Sequence, residues 1–153
     1  MENDMDLLRY LNNYNEIFHI LKNLSNEQIN YKPAENKWSV HEIITHLADT
    51  EVQSHVRFRT ILANKVPYMV YFDEMDWSII LEYTQINLEE SLEVIKLMRR
   101  VNYNLLSRLK PEDFNKRGIH STRGELTLKD LVNSYINHVD THLVQINRNI
   151  NPK

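Results

Sequence analysis

In the stretch YINHVDTHLVQIN, residues 135–147, two histidines stand four residues apart. On a helix His138 and His142 lie about 40° apart, and Gln145 continues the same row. Two imidazoles so placed either hold a divalent cation or fill a half-polar core, and the spacing alone supports both readings. A metal site needs a third ligand from another element. The segment VHEIITHLADTE offers two. It comes close to the H-E-x-x-H zinc signature, but His41 and His46 are five residues apart and diverge by about 140° around a helix. They cannot both face one ion, which excludes the zincin pattern. Either of them remains open as a third ligand: His41 in the first turn, or His46 deeper in the helix but beyond the edge of its apolar stripe. His19, His55 and His120 have no partner at a useful spacing and read as surface or packing residues.

Carboxylates near these histidines carry the second part of the chemistry. Glu51 falls within an apolar stripe, between Leu47 and Phe58, and Arg99 and Asn102 interrupt another stripe in the same way. Burying a carboxylate costs several kcal/mol unless it is paired or hydrogen-bonded. Glu51 therefore reads either as the partner of Arg99 or as a carboxylate held beside a reactive centre. Asp49, three residues after His46, either orients that ring or is a solvated helix-face carboxylate. Tyr68, Tyr71, Phe72 and Trp77 lie in one connection, where they either wall a pocket or pack on the fold.

Four stretches with helical periodicity must position these residues. The first runs from about Asp4 to Leu24, with Leu7, Leu8, Leu11, Phe18 and Leu21 recurring. The second spans about Ser39 to Leu62, and Ser39 with Glu42 forms a capping box at its start. The third covers about Asn87 to Leu109, stopped by Pro111, and the fourth begins near Thr127. Four amphipathic helices of about 20 residues predict an all-α four-helix bundle with essentially no sheet. One connection is long, from Ala63 to Ile86, between helices 2 and 3, and its PYMVYFDEMDWSIILEY has room for a short helix. The 153 residues suit a single domain, 1–153.

Composition removes several function classes. There is no cysteine, hence no disulfide, no thiolate ligand and no cysteine nucleophile. The two glycines, Gly118 and Gly124, cannot form a glycine-rich phosphate loop or a nucleophile elbow. A formal net charge of −3 offers no basic footprint for nucleic acid. No apolar run is long enough for a membrane, and the first residues lack a signal-peptide pattern. A cytoplasmic protein is expected.

Three blocks in order carry a resemblance. Trp38–Glu51 fits W-[ST]-x-x-E-I-I-x-H-L-x-D-x-E, Gly124–Leu128 fits G-E-x-T-L, and His138–Ile146 fits H-x-x-x-H-x-x-Q-I. Together with YFDEMDW they resemble the DinB-like superfamily, and within it the YfiT-like branch of metal-dependent hydrolases and thiol S-transferases. The resemblance covers the chain from about Asn36 to Arg148. It implies a four-helix bundle, commonly a homodimer, with zinc or nickel held by His46, His138 and His142, and so favours His46 over His41. The function it implies is a metal-dependent enzyme acting on a small molecule, by hydrolysis or by S-transfer with a low-molecular-weight thiol cosubstrate. In such an enzyme Glu51, placed by its position on the inward stripe, is the candidate catalytic residue that takes or holds the proton. The alternative is a non-catalytic, stress-associated metal-binding bundle; a third reading is a purely structural dimer.

Overall fold

The computed structural model describes residues 2–151, with side chains from Leu7 onward. The part of the single-domain expectation that covers Met1, Pro152 and Lys153 lies outside the described residues. In chain order the elements are α1 (Glu2–Asn12), α2 (Asn15–Leu21), α3 (Asn26–Asn30), α4 (Val40–Ala63), β1 (Tyr68–Met69), α5 (Glu74–Ile80), a 3-10 turn (Tyr83–Gln85), α6 (Leu88–Leu106), a second 3-10 turn (Pro111–Asn115), β2 (Arg117–His120), β3 (Gly124–Thr127) and α7 (Leu128–Ile150).

Side-chain caps fix where the long helices start. Ser39 accepts from the Glu42 amide while the Glu42 carboxylate accepts from the Ser39 amide, which is the capping box read from the sequence. Thr127 and Asp130 repeat the device on α7. Asn87 caps α6 by accepting from the amides of Glu89 and Glu90. The bundle is α1, α4, α6 and α7. Helix α4 packs on α6 and α7, and α1 packs on the same two. This bears out the all-α four-helix bundle with one long connection after its second long helix.

Two features depart from the expected elements. The first stretch is not one helix but two, broken at Asn13 and Tyr14. Arg99 from α6 donates to the Tyr10 carbonyl at 2.7 Å and to Asn13 Oδ1 at 3.1 Å. It thereby takes an acceptor that an unbroken helix would offer to the residue four further on. The second departure is a small three-stranded sheet. β1 runs parallel to β2, with Met69 opposite His120, and β2 runs antiparallel to β3, with Gly118 opposite Leu126. A two-residue strand has no period to read, and its pairing partner lies about fifty residues away. Both glycines serve this sheet. A Cβ on Gly118 would sit 2.8 Å from the Ile61 side chain, and Gly124 adopts a φ of 75° at the end of the hairpin turn.

The core lies in two apolar clusters stacked along the bundle. One centres on Tyr10, Phe58, Ile61, Leu106, Leu131 and Tyr135, and the other on Ile43, Leu47, Ile95, Val139, Leu143 and Ile146. Between them, along α4 and α6, runs a buried polar layer of Glu51, Ser54, Arg99 and Asn102. No helix among the described residues is long and apolar enough to cross a membrane.

Candidate metal centre

The facing sides of α4 and α7 bring three imidazoles together beside the second apolar cluster. His46 Nε2 lies 3.0 Å from His138 Nε2, which lies 3.0 Å from His142 Nε2. The three ligand atoms all fall within 4.8 Å of one another. His46, at the edge of its helix's apolar stripe by the wheel, is only 1% exposed. The Trp38 ring covers it at 4.8 Å and reaches His142 at 6.3 Å, with the indole N–H fixed on Ser78. Burial opposes charging of all three rings. It lowers His46 to about 2, helped by His138 and His142, and His138 to about 3, helped by His142 and Arg99. His142 is lowered as well by burial, partly offset by its bond to Gln145. All three are therefore neutral at pH 7.

The donor set fits a divalent ion. A neutral imidazole carries one proton and one free lone pair. His142 Nδ1 faces Gln145 Oε1 at 2.9 Å, which assigns the proton to Nδ1 and leaves Nε2 bare. His138 Nε2 holds at most one proton and can serve only one of its two neighbours. Hydrogen bonding among the rings thus leaves at least one close pair of nitrogens in lone-pair contact. A cation between them removes that conflict, because ligand nitrogens at about 2.0–2.1 Å from zinc stand about 3.3 Å apart in a tetrahedral site. The observed 3.0 Å separations are close to this. Three neutral nitrogens also leave coordination positions open, as catalytic zinc sites do.

A cavity of about 170 Å³ opens beside His138, lined by Thr50, Arg57, Phe72, Glu74, Arg123 and Tyr135 among others. Glu74, in the first turn of α5, brings Oε2 to 3.5 Å from His46 Nε2. Burial and the neighbouring Asp73 raise its pKa. Glu74 belongs to the YFDEMDW block but was not singled out by sequence reasoning. Its partner site is on α4, and no periodicity links a loop helix to it. Phe72 walls the cavity, as one reading of the loop aromatics has it, and packs against Trp77 at 4.7 Å with the rings tilted by 45°. A larger cavity, about 420 Å³, is lined by Trp38 among others and includes none of the three histidines.

The structure sends the remaining sequence candidates elsewhere. Glu51, expected as the proton acceptor, is fully buried with Arg99 Nη2 at 2.5 Å from Oε1, and both side chains are 0% exposed. This is a close ion contact rather than an aligned hydrogen bond, since Oε1 has no well-directed donor. Oε2 lies 3.3 Å from both the Tyr10 and Ser54 hydroxyls. The charge at that position is balanced by Arg99, and Glu51 makes no hydrogen bond to the histidines. This is the first of the two readings of Glu51, the partner of Arg99. Asp49 does not orient His46 either; it accepts from the Tyr83 hydroxyl at 2.6 Å. His41 bridges Asn30 and the Ile86 carbonyl, tying α3 to the end of the long connection.

Comparison with known proteins gives a family and a fold. The family model of the DinB superfamily matches residues 9–146. A candidate metal-dependent hydrolase of Oceanobacillus iheyensis is 26% identical over 141 residues, covering 90% of this chain and 81% of the relative. One from Bacillus mycoides is 25% identical over 132 residues, covering 86% of this chain and 76% of its own. Among solved structures, YfiT from Bacillus subtilis superposes with a TM-score of 0.88 at 21% identity, over 95% of this chain and 84% of its own. YfiT is described as a candidate metal-dependent hydrolase of unusual four-helix-bundle topology.

Proposed function

Because the chain belongs to the DinB superfamily, we propose that it is a metal-dependent enzyme acting on a small molecule, with His46, His138 and His142 holding one divalent ion, zinc or nickel. The observation that carries this reading is the convergence of three neutral Nε2 atoms, those of buried His46 and His142 and of half-buried His138, beside a cavity. When bound, the ion supplies Lewis acidity and makes water or a thiol acidic enough to serve as nucleophile at neutral pH. Gln145 holds the His142 ring by its Nδ1 proton and so keeps Nε2 turned inward. Trp38 shields His46 and His142 from bulk water. Glu74 Oε2 stands where it can accept a proton from the nucleophile, in the role first expected of Glu51. Hydrolysis is the preferred reaction, supported by the names of the relatives. S-transfer would need an external low-molecular-weight thiol, since the chain has no cysteine. A single domain over 1–153, a cytoplasmic location and a homodimer complete the proposal; sedimentation at high micromolar concentration tests the last.

Metal analysis of untagged protein tests the centre. One divalent ion per chain is expected in the wild type, and a sharp loss on replacing any one of the three histidines with Ala. Full occupancy in all three variants would overturn the site. An ester and amide screen beside a thiol-conjugation screen then separates hydrolysis from S-transfer. A metal-loaded protein inert in both would move the reading to the non-catalytic, stress-associated bundle.

A further inference from the structure

We propose that the cavity beside the histidines contains a carboxylate-binding subsite built on Arg57 and Arg123, so that the substrate is a small molecule with a carboxylate next to its reacting group. The proposal rests on the reading of the histidines as a metal centre only for where the reacting group lies. The subsite itself is read from the arginines.

Arg57 follows His46 by eleven residues, about 20° away around α4, so both side chains look toward α7 from one face. Its Nη1 donates to the Tyr135 hydroxyl at 3.1 Å and its Nη2 to the Val70 carbonyl at 2.8 Å. Both acceptors are neutral. Its Nε–H is buried and, among the described residues, has no partner. Among the described residues neither Arg57 nor Arg123 forms an ion pair, whereas Arg9, Arg99 and Arg117 each meet a carboxylate. The Phe72 ring lies 5.8 Å from the Arg57 guanidinium and forms an apolar wall. A half-buried guanidinium held by two neutral acceptors keeps its charge in a low-dielectric wall without a counter-ion, which is unfavourable until an anion arrives. The unused Nε–H and the remaining Nη protons form the planar fork that suits a carboxylate.

Arg123 adds a second positive charge to the same cavity. The β2–β3 turn that carries it is built to hold it there. His120 Nδ1 accepts from the Thr122 and Arg123 amides, both at 3.3 Å, and the Ser121 hydroxyl accepts from the Tyr71 amide at 2.8 Å. The small sheet thus joins the turn to the segment that supplies Val70 and Phe72. The one carboxylate lining this cavity, Glu74, sits at the histidine end against His46. Arg57 and Arg123 thus share the cavity with His138, while its carboxylate, Glu74, is engaged with His46. At about 170 Å³ it is smaller than the roughly 300–1,000 Å³ of drug-sized pockets, so a short chain rather than a bulky ligand fills it.

The test titrates the metal-free full chain with succinate and with succinamide, its uncharged counterpart, following the Arg57 Nε–H resonance by NMR. Saturable succinate binding that moves this resonance is expected, with succinamide at least tenfold weaker. Arg57→Gln should abolish succinate binding and Arg123→Glu should weaken it at least tenfold. Arg123 is exposed and, among the described residues, its side chain has no hydrogen-bond partner, so that variant decides the matter if Arg57→Gln fails to fold. Equal binding of succinate and succinamide, an unmoved resonance, or unchanged affinity in Arg123→Glu would overturn the subsite. Inorganic phosphate displacing succinate at lower concentration would overturn the carboxylate assignment. Zinc and nickel uptake, measured on a portion of the same preparation to which each metal is returned, keeps the two readings apart. Succinate bound by a wild type that takes up neither zinc nor nickel would overturn the metal centre and leave the subsite standing.

Discussion

Two buried polar clusters lie about one turn apart on α4, and they differ in whether they satisfy themselves. The layer around Glu51 is nearly complete. Arg99 meets Glu51 and donates to the carbonyls of Tyr10 and Tyr135, while Asn102 donates to Tyr10 and Ser54 and accepts from Arg59. Charges cancel, and the contacts tie α1, α4, α6 and α7 together. The histidine cluster has three convergent nitrogens, cannot pair them all, and leaves the Nδ1 atoms of His46 and His138 without partners. A polar group buried without a partner costs about 1–3 kcal/mol. The first cluster holds the bundle together, and the second is completed only by something added to it. Both clusters are polar and largely buried, and what separates them is the pairing.

The largest effect that would break this comparison is expected from Arg99→Met. It leaves the Glu51 carboxylate buried without its partner, and urea unfolding should show a loss of about 3–5 kcal/mol. A loss below about 1 kcal/mol would mean that the layer does not hold the helices. His138→Ala is expected to act in the opposite sense. Metal occupancy should fall to near zero while the metal-free protein keeps its unfolding midpoint, read by metal analysis and urea denaturation on one sample. Glu51→Gln should keep the metal and lose about 1–3 kcal/mol of stability, with turnover per folded molecule changed by less than about tenfold. A drop of about 10²–10⁴-fold, the range for a lost general base, would return Glu51 to the catalytic role.

Acid sharpens the contrast further. The unfolded chain takes up histidine protons near pH 6.5, whereas His46 and His138 stay neutral in the fold down to about 2 and about 3. The unfolded state therefore binds more protons as the pH falls below about 6.5, and metal-free protein should lose up to about 1.4 kcal/mol per pH unit for each of them. Bound metal should suppress this slope. The smallest effect is expected from His41→Ala, which leaves metal occupancy unchanged and loosens only the contact with Asn30 and Ile86; a loss of metal there would exchange the third ligand.

Much of the fold was legible because its signals are local. Ser39 with Glu42 and Thr127 with the following apolar stripe mark helix starts within four residues, and their caps form as read. The pair His138 and His142 needed only one helix to be brought together. His46 was chosen through the three matching blocks rather than by the helical wheel, which places it at an edge without saying what covers that edge. The break after Asn12 and the three-stranded sheet went unread, since Arg99 and β2 reach those places from far along the chain.

The sequence by itself determined four amphipathic helices, the absence of thiol chemistry and a supply of histidines at helical spacing, because these depend on residue type and short-range periodicity. Only the tertiary structure decided that Glu51 pairs with Arg99, that Asp49 bonds Tyr83, and that Glu74 and Arg57 line the cavity with His138. The physical reason is that a buried charge is defined by its partner. Partners at 2.5–3.5 Å are set by how helices pack, across separations of 28 to 48 residues here, which no local pattern encodes.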